Sequence, residues 1–119
     1  MSRRRRKFEY EDKKFRYRGW RNDRQFAAIE WARAATKHRI SRPRSRFVVE
    51  RSVLFWEKLP PPGQPAKEVR LLFFADDREG IPLEVFGVET QYRRLVIIHA
   101  MLLRPRFRPM YEEDKRCQD

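Results

Sequence analysis

The chain has 119 residues, which suits a single domain, and its 40% of hydrophobic residues allow a modest core. No run of about 18 apolar residues occurs, so we expect no membrane-spanning helix. The Arg-rich N-terminus lacks the apolar segment of a secretory signal, so we expect none there. The one cysteine, Cys117, has no partner for an internal disulfide. We therefore expect a cytoplasmic protein with Cys117 exposed in a charged tail.

The positive charge is confined to the first half of the chain. Residues 1–51 hold 18 Lys and Arg against 6 Asp and Glu, whereas residues 52–119 hold 11 of each, so the first half carries the whole net charge of +12. A concentrated cationic surface attracts polyanions by releasing their counterions. Arginine dominates over lysine, and its forked guanidinium matches phosphate groups, which favours nucleic acid as the partner. A solubility device or an acidic protein partner is the alternative.

Residues 1–20 form a basic N-terminal arm in this interpretation. The first seven residues are a like-charged block. Aromatic residues then alternate with charged ones, which indicates one short strand, or two broken by the charged residues 11–14; the aromatic residues are Phe8, Tyr10, Phe15 and Tyr17.

Two helices are predicted at the start of the domain, which we place at residues 21–119. The first covers about 23–37, where apolar residues follow the helical spacing i, i+3, i+4, i+7; they are Ala28, Trp31, Ala32 and Ala35. Ser41 can cap the second helix, and Pro43 suits its first turn, where a missing N–H does no harm.

The remainder predicts β structure. Strands are expected at Val53–Lys58, Glu68–Ala75, Ile81–Glu89 and Arg94–Leu102. Short connections favour antiparallel neighbours, and the nearly continuous apolar character of the last strand favours an internal position. Pro105 and Pro109 break up the C-terminal stretch. The predicted fold class is α+β, with an N-terminal strand, two helices and then an antiparallel sheet of three to four strands. The helices would cover one sheet face and leave the other partly open.

The chemical inventory of the sequence is narrow. Glycine-rich phosphate loops are absent, and one cysteine with two distant histidines cannot form a metal centre without several carboxylates. We therefore expect neither a metal nor a cofactor. Arg, His, Tyr and carboxylates remain. They suffice for metal-independent RNA cleavage, because the substrate supplies its own nucleophile, the 2′-OH.

Two segments resemble the BrnT-type toxins of the RelE/ParE superfamily. Residues 37–41 read Lys-His-Arg-Ile-Ser, similar to a helix-to-helix junction that commonly reads Lys-His-Gly-(Val/Ile)-Ser. Residues 94–100 read Arg-Leu-Val-Ile-Ile-His-Ala and, with the basic stretch up to Tyr111-Glu112-Glu113, resemble the last strand and tail of that family. The resemblance covers about residues 23–113. Arg39 departs from the usual glycine, His99 stands where the family often has serine, and the N-terminal arm is longer and more basic.

This resemblance implies a RelE/ParE-like fold. It also implies an RNA-cleaving, mRNA interferase-like toxin of a type II toxin–antitoxin system, with RNA (including ribosome-associated mRNA) and a cognate antitoxin as partners. We expect no membrane partner.

The candidate catalytic residues are His99, His38, Arg106 and Tyr111. His99 alternates with Leu95, Ile97 and Met101 along one strand face, and histidine exchanges protons near neutral pH. If that face is open, His99 is the best general acid or base; otherwise it is a hydrogen-bonded core residue. His38 would serve at the RNA site or satisfy a carbonyl at a helix end. Tyr111 could donate a proton, stack on a base or pack at the edge of the core.

The candidate contacts to RNA phosphates are Arg70, Arg94, Arg104 and Arg108. In an extended chain Arg104, Arg106 and Arg108 would share one side. Arg70 is in step with Leu72 and Phe74, so it could reach across the open face. A solvated charged surface is the alternative for the C-terminal arginines, and an edge-strand charge that discourages aggregation is the alternative for Arg70.

Two other functions stay open at this point. A non-catalytic RNA- or ribosome-binding module is supported by the four consecutive arginines at positions 3–6, which suit phosphate contacts without sequence readout. A DNA-binding regulator is a weaker alternative. The helix pair around Ser41 superficially resembles a helix-turn-helix, but it has few Asn or Gln side chains for reading bases.

Overall fold

The computed structural model describes residues 14–20, 26–60, 62–63 and 68–118. Within these ranges the chain is α+β, with a mixed six-stranded sheet and two α-helices. The strands are β1 (Phe15–Trp20), β2 (Ala28–Trp31), β3 (Leu54–Lys58), β4 (Val69–Asp76), β5 (Pro82–Thr90) and β6 (Arg94–Leu102). The helices are α1 (Arg42–Arg51) and α2 (Arg108–Cys117), with short 3₁₀ helices at Arg33–Thr36, Gln91–Arg93 and Pro105–Phe107. No helix in the described part of the chain is long and apolar enough to cross a membrane.

The sheet has the strand order β1-β3-β4-β5-β6-β2. Every neighbouring pair is antiparallel except β2 and β6, which are parallel. The four strands predicted after residue 52 are confirmed to within one residue at each end, and β6 is internal, flanked by β5 and β2. Phe8 and Tyr10, which belonged to the predicted N-terminal strand, lie outside the described residues, whereas Phe15 and Tyr17 are in β1.

The helix predicted over 23–37 is wrong in its described part. Residues Ala28–Trp31 form β2, which pairs with β6. Two further backbone hydrogen bonds extend this pairing, from Ala27 N to Arg93 O and from Ala32 N to Ile97 O, at 2.8 Å each. Ile29 and Trp31, two positions apart, pack against the core as a strand requires. The apolar spacing fitted both periods, and pairing with β6 overrode the local helix preference.

Helix α1 begins where the sequence predicted. Ser41 caps it, since its side-chain oxygen accepts a hydrogen bond from the Arg44 backbone N–H at 3.4 Å, and Pro43 lies in the first turn. Val48 and Val49 are buried against the apolar side chains of the central strands. This packing forms the first core, on one face of the sheet.

The opposite face is covered in part by α2, a helix that the sequence did not predict. Met110 and Tyr111 pack there with Phe107 against Leu72 and Phe74, forming a second core. Pro109 does not break this helix, since it lies in the first turn, where no backbone N–H is needed. Cys117 is the last residue of α2 and is buried, so the exposed position expected for it is wrong. The described fold therefore has a sheet between two helices.

A buried carboxylate fastens α2 to the sheet. Asp114 accepts hydrogen bonds from the Ser52 hydroxyl at 2.6 Å and from the backbone N–H groups of Val53 and Leu54 at 3.0 and 3.2 Å. The Gln118 side-chain amide donates a further bond at 3.0 Å. Burial raises the pKa of Asp114 despite these donors. The start of β3 and the end of α2 are thus held together.

Candidate active site

His99 lies on the sheet face that α2 partly covers. The register between β5 and β6 shifts here: Gly87 pairs with Ile97 and Phe86 pairs with His99, which leaves Ile98 as the extra residue of a β-bulge. Before the bulge, Leu95 and Ile97 point into the core beneath α1. The predicted common face of His99 with these two residues is therefore wrong, because the bulge reverses the alternation of side chains.

Glu84 is the centre of the site. It lies on β5 with 0% of its surface exposed. Its Oε2 is 3.0 Å from His99 Nε2, and its two oxygens accept bonds from Arg104 Nε at 3.0 and 3.1 Å and from Arg104 Nη2 at 2.7 Å. The Arg104 backbone N–H also donates to Oε1 at 2.9 Å. We call Glu84, His99 and Arg104 the carboxylate cluster.

The Glu84 carboxylate is kept ionised by its donors. Burial opposes ionisation, but the hydrogen bonds from His99 and Arg104 outweigh it, and the pKa of Glu84 lies below the ordinary value of 4.5. An ionised carboxylate only accepts hydrogen bonds, so the facing Nε2 of His99 carries a proton. In the neutral imidazole, Nδ1 is then the atom that can accept a proton.

Aromatic rings fix the orientation of His99. Its ring stacks on Phe86, with centroids 4.6 Å apart and planes 24° apart. The His38 ring meets it edge-on at 5.4 Å. His38 reaches this position from the turn after the 3₁₀ helix Arg33–Thr36, which runs beside β6. The structure thus brings together the two histidines that the sequence singled out, 61 positions apart in the chain.

Arg104 keeps donors available beside the cluster. Its side chain is 40% exposed although Nε and Nη2 bind Glu84, so the Nη1 hydrogens can reach a further acceptor. Its guanidinium lies 5.2 Å from the centre of the Phe107 ring, and that of Arg106 lies 4.9 Å from the same ring. Arg106 therefore lies next to the cluster without bonding to Glu84.

The C-terminal arginines do not share an extended side as predicted. Residues Pro105–Phe107 form a 3₁₀ helix and α2 follows at once, so the alternation of a strand does not apply. Arg108 instead pairs with Glu112 one turn along α2, at 3.0 Å, and its guanidinium lies over the Tyr111 ring. Only Arg104 and Arg106 of the three lie at the Phe107 ring.

Tyr111 does not join the carboxylate cluster. Its hydroxyl donates to Asp76 Oδ1 at 2.5 Å and accepts from Lys115 Nζ at 3.3 Å. Burial and the neighbouring Asp76 carboxylate raise the pKa of Tyr111, so the hydroxyl holds its proton and fastens α2 to β4. This arrangement matches the core-edge role left open by the sequence.

Arg70 and Arg94 lie farther from the cluster. Arg70 is on the same sheet face as His99, because side chains two positions apart share a face and Leu72 pairs with Phe86, the partner of His99. Arg70 is nevertheless two strands away from His99, at roughly 12 Å between backbones. Arg94 lies five positions before His99, roughly 16 Å along β6, and forms an ion pair with Glu30. Both are exposed and can contact only more distant parts of a long ligand.

Glu84 is the site residue that the sequence did not select. A signal was present: it is a carboxylate in the middle of a strand between the apolar residues Leu83 and Val85, and such a position demands a buried partner. Within the described residues no group of three or more His, Cys, Asp or Glu side chains could hold a metal ion.

Comparisons of the chain with protein-family models, with curated proteins and with solved structures found no match.

Proposed function

We propose that the chain is an endoribonuclease that cleaves RNA without a metal ion, using the carboxylate cluster as its catalytic centre. The observation that carries this proposal is the buried, ionised Glu84, which holds an imidazole and a guanidinium side by side. A carboxylate that orients a histidine fixes its tautomer and frees the far nitrogen for proton exchange. A guanidinium beside it suits the charge that develops on a phosphate during transfer.

The side chains at the site account for both proton transfers of the cleavage reaction. His99 Nδ1 takes the proton of the substrate's 2′-OH as that oxygen forms a bond to phosphorus. Arg104 stabilises the additional negative charge on the phosphate oxygens. The bond from phosphorus to the 5′-oxygen then breaks, and His38 acts as the general acid that gives a proton to the leaving oxygen. The products are a 2′,3′-cyclic phosphate and a free 5′-hydroxyl.

The experiment uses a 5′-labelled single-stranded RNA in the presence of a metal chelator. The wild type should generate 2′,3′-cyclic phosphate ends. His99→Gln should slow cleavage at least about 100-fold, because an amide can still donate to Glu84 but cannot shuttle protons. Arg46→Gln is the matched control: it removes an exposed charge on α1 that is paired with Glu50, and it should leave the rate unchanged.

Two results would overturn this function. One is the absence of cleavage by the folded wild type at stoichiometric concentration. The other is a His99→Gln variant that folds like the wild type and cleaves as fast. Circular dichroism and thermal unfolding of the variant show whether lost activity comes from lost structure.

A biological role as the cytoplasmic toxin of a type II toxin–antitoxin pair is part of the proposal and is supported by the resemblance of residues 37–41 and 94–113 to BrnT-type toxins. Expression of the wild type should then arrest growth, and His99→Gln should relieve the arrest. A small neighbouring gene whose acidic product restores growth would identify the antitoxin. High soluble expression without growth arrest would contradict the toxin role while leaving the nuclease test unaffected.

A non-catalytic RNA- or ribosome-binding module is the second candidate, favoured by the net charge of +12. In that case wild type and His99→Gln should bind RNA equally and neither should cut it. Deletion of residues 1–7 should then abolish binding, because those residues hold five of the positive charges.

A further inference from the structure

The backbone at Arg39 is in the left-handed conformation that favours glycine. Its φ is 63°, and its N–H donates to Thr36 O at 3.0 Å to close the turn. A residue with a Cβ is unfavourable there, because the Cβ crowds the neighbouring carbonyl oxygen. Glycine would complete the same turn without that strain.

The fold gains nothing visible from the Arg39 side chain. The residue is exposed, whereas the next one, Ile40, is 4% exposed and packs in the first core. In the described part of the chain no ion pair involves Arg39. Strained positions of this kind are concentrated at binding and active sites, so Arg39 is a candidate contact for a ligand outside the chain.

The position of Arg39 indicates which ligand. Its neighbour His38 meets the His99 ring at 5.4 Å, so the turn adjoins the carboxylate cluster. Residues 31–49 contain six Lys or Arg and no Asp or Glu. Arg44 and Arg46 are paired with Asp77 and Glu50. Arg33, Lys37 and Arg39 are exposed in the segment that carries His38. The segment that brings His38 to the cluster is therefore cationic and exposed.

We propose that Arg39, with Lys37 beside it, binds the RNA phosphate that neighbours the cleaved one. This inference rests on the proposed function, since it extends the same site by one nucleotide. The planar guanidinium fork suits a phosphodiester, whose oxygens carry the charge to be matched. We call this position the Arg39 subsite.

The first test separates strain from function. Arg39→Gly relieves the left-handed strain and should raise Tm by roughly 2–5 °C. Arg39→Ala keeps the strain and should leave Tm near the wild-type value. A lower Tm for Arg39→Gly would show that the side chain serves the fold, and this result would overturn the inference.

The second test measures binding to a fluorescent single-stranded 12-mer whose 2′-oxygens are all methylated, so that it cannot be cut. Arg39→Gly and Arg39→Ala should each weaken binding about three- to fivefold, the range of an exposed charge pair. Both should lower the slope of log K against log salt by about 0.7, the value for one phosphate contact to a single strand. Arg39→Lys should keep the slope, and the control Arg46→Gln should also keep it.

Two binding results would overturn the subsite. One is an unchanged salt slope in both Arg39→Gly and Arg39→Ala. The other is an equally tight, equally Arg39-dependent complex with poly-glutamate, which would assign the segment around Arg39 to an acidic protein. Cleavage assays run in parallel keep the two proposals apart. A wild type that binds through Arg39 but never cuts unmodified RNA refutes the catalytic function alone. Cleavage that depends on His99 but not on Arg39 refutes the subsite alone.

Discussion

Replacing Glu84 by glutamine tests the organisation of the site most directly. The change keeps the side-chain shape but removes the negative charge and one of the two acceptor oxygens. Glu84 is fully buried and accepts bonds from His99 Nε2 at 3.0 Å and from three Arg104 nitrogens at 2.7 to 3.1 Å. In the variant, the amide N–H₂ group must face donors, and part of the Arg104 charge is left without a partner.

The expected loss of stability can be worked out from these bonds. Hydrogen bonds to a charged group contribute about 1.5–3 kcal/mol each, and glutamine loses roughly two of them. The Arg104 side chain is 40% exposed and can regain water, which reduces the loss. Glu84→Gln should therefore lower the free energy of unfolding by about 2–4 kcal/mol at pH 7.

The pH dependence adds a second check. The pKa of Glu84 is lowered in the folded state, so its ionised form stabilises the fold. That contribution to the free energy of unfolding is complete above the pKa of the unfolded chain, taken as the ordinary 4.5. It is lost as the pH falls through the pKa of the folded state. The stability difference between wild type and variant should therefore narrow as the pH falls below 4.5. Burial disfavours ionisation of Asp77, but hydrogen bonds from Ile81, Glu79 and Arg44 outweigh burial and lower the pKa of Asp77. Asp77 therefore also adds acid-dependent stability, but it does so equally in wild type and variant and drops out of their difference.

Urea unfolding at pH 7 and at pH 3.5 measures both quantities. Glu112→Gln is the matched control, because Glu112 is exposed and pairs with Arg108 at the surface of α2. It should stay within about 0.5 kcal/mol of wild type at both pH values. A Glu84→Gln loss below 1 kcal/mol, or a loss of equal size at both pH values, would refute the charge-centred account of the site.

Two further substitutions test how the fold supports the site. Asp114→Asn should lower the free energy of unfolding in urea by about 2–3 kcal/mol, because a buried amide cannot accept all the bonds that Ser52 and the backbone after it donate. A variant as stable as the wild type would show that Asp114 does not hold α2 to the sheet. Gly87→Ala should lower the free energy of unfolding by about 1–3 kcal/mol, because the new Cβ would lie 2.6 Å from Cδ1 of the fully buried Leu95. An unchanged Tm would show that the core beneath the bulge rearranges to make room for the methyl group.

Local patterns were sufficient for much of the fold. Ser41 and Pro43 identified the start of α1, and alternation with short turns identified β3 to β6, because caps, turns and strand periodicity act over a few residues. The same patterns failed for β2, where a short apolar segment fitted two periods, and for α2, where Pro109 was interpreted as a break although it is in the first turn.

The sequence by itself determined the charge asymmetry, the α+β class, most of the strands and the choice of His99, His38, Arg104 and Arg106 as chemically capable residues. The tertiary structure alone decided which of them meet. A single extra residue in β6 turns His99 onto the face of Glu84, and the chain reversal after β6 brings Arg104 to the same carboxylate. Bulges and reversals depend on pairing between distant strands, and no local window of sequence contains that pairing energy.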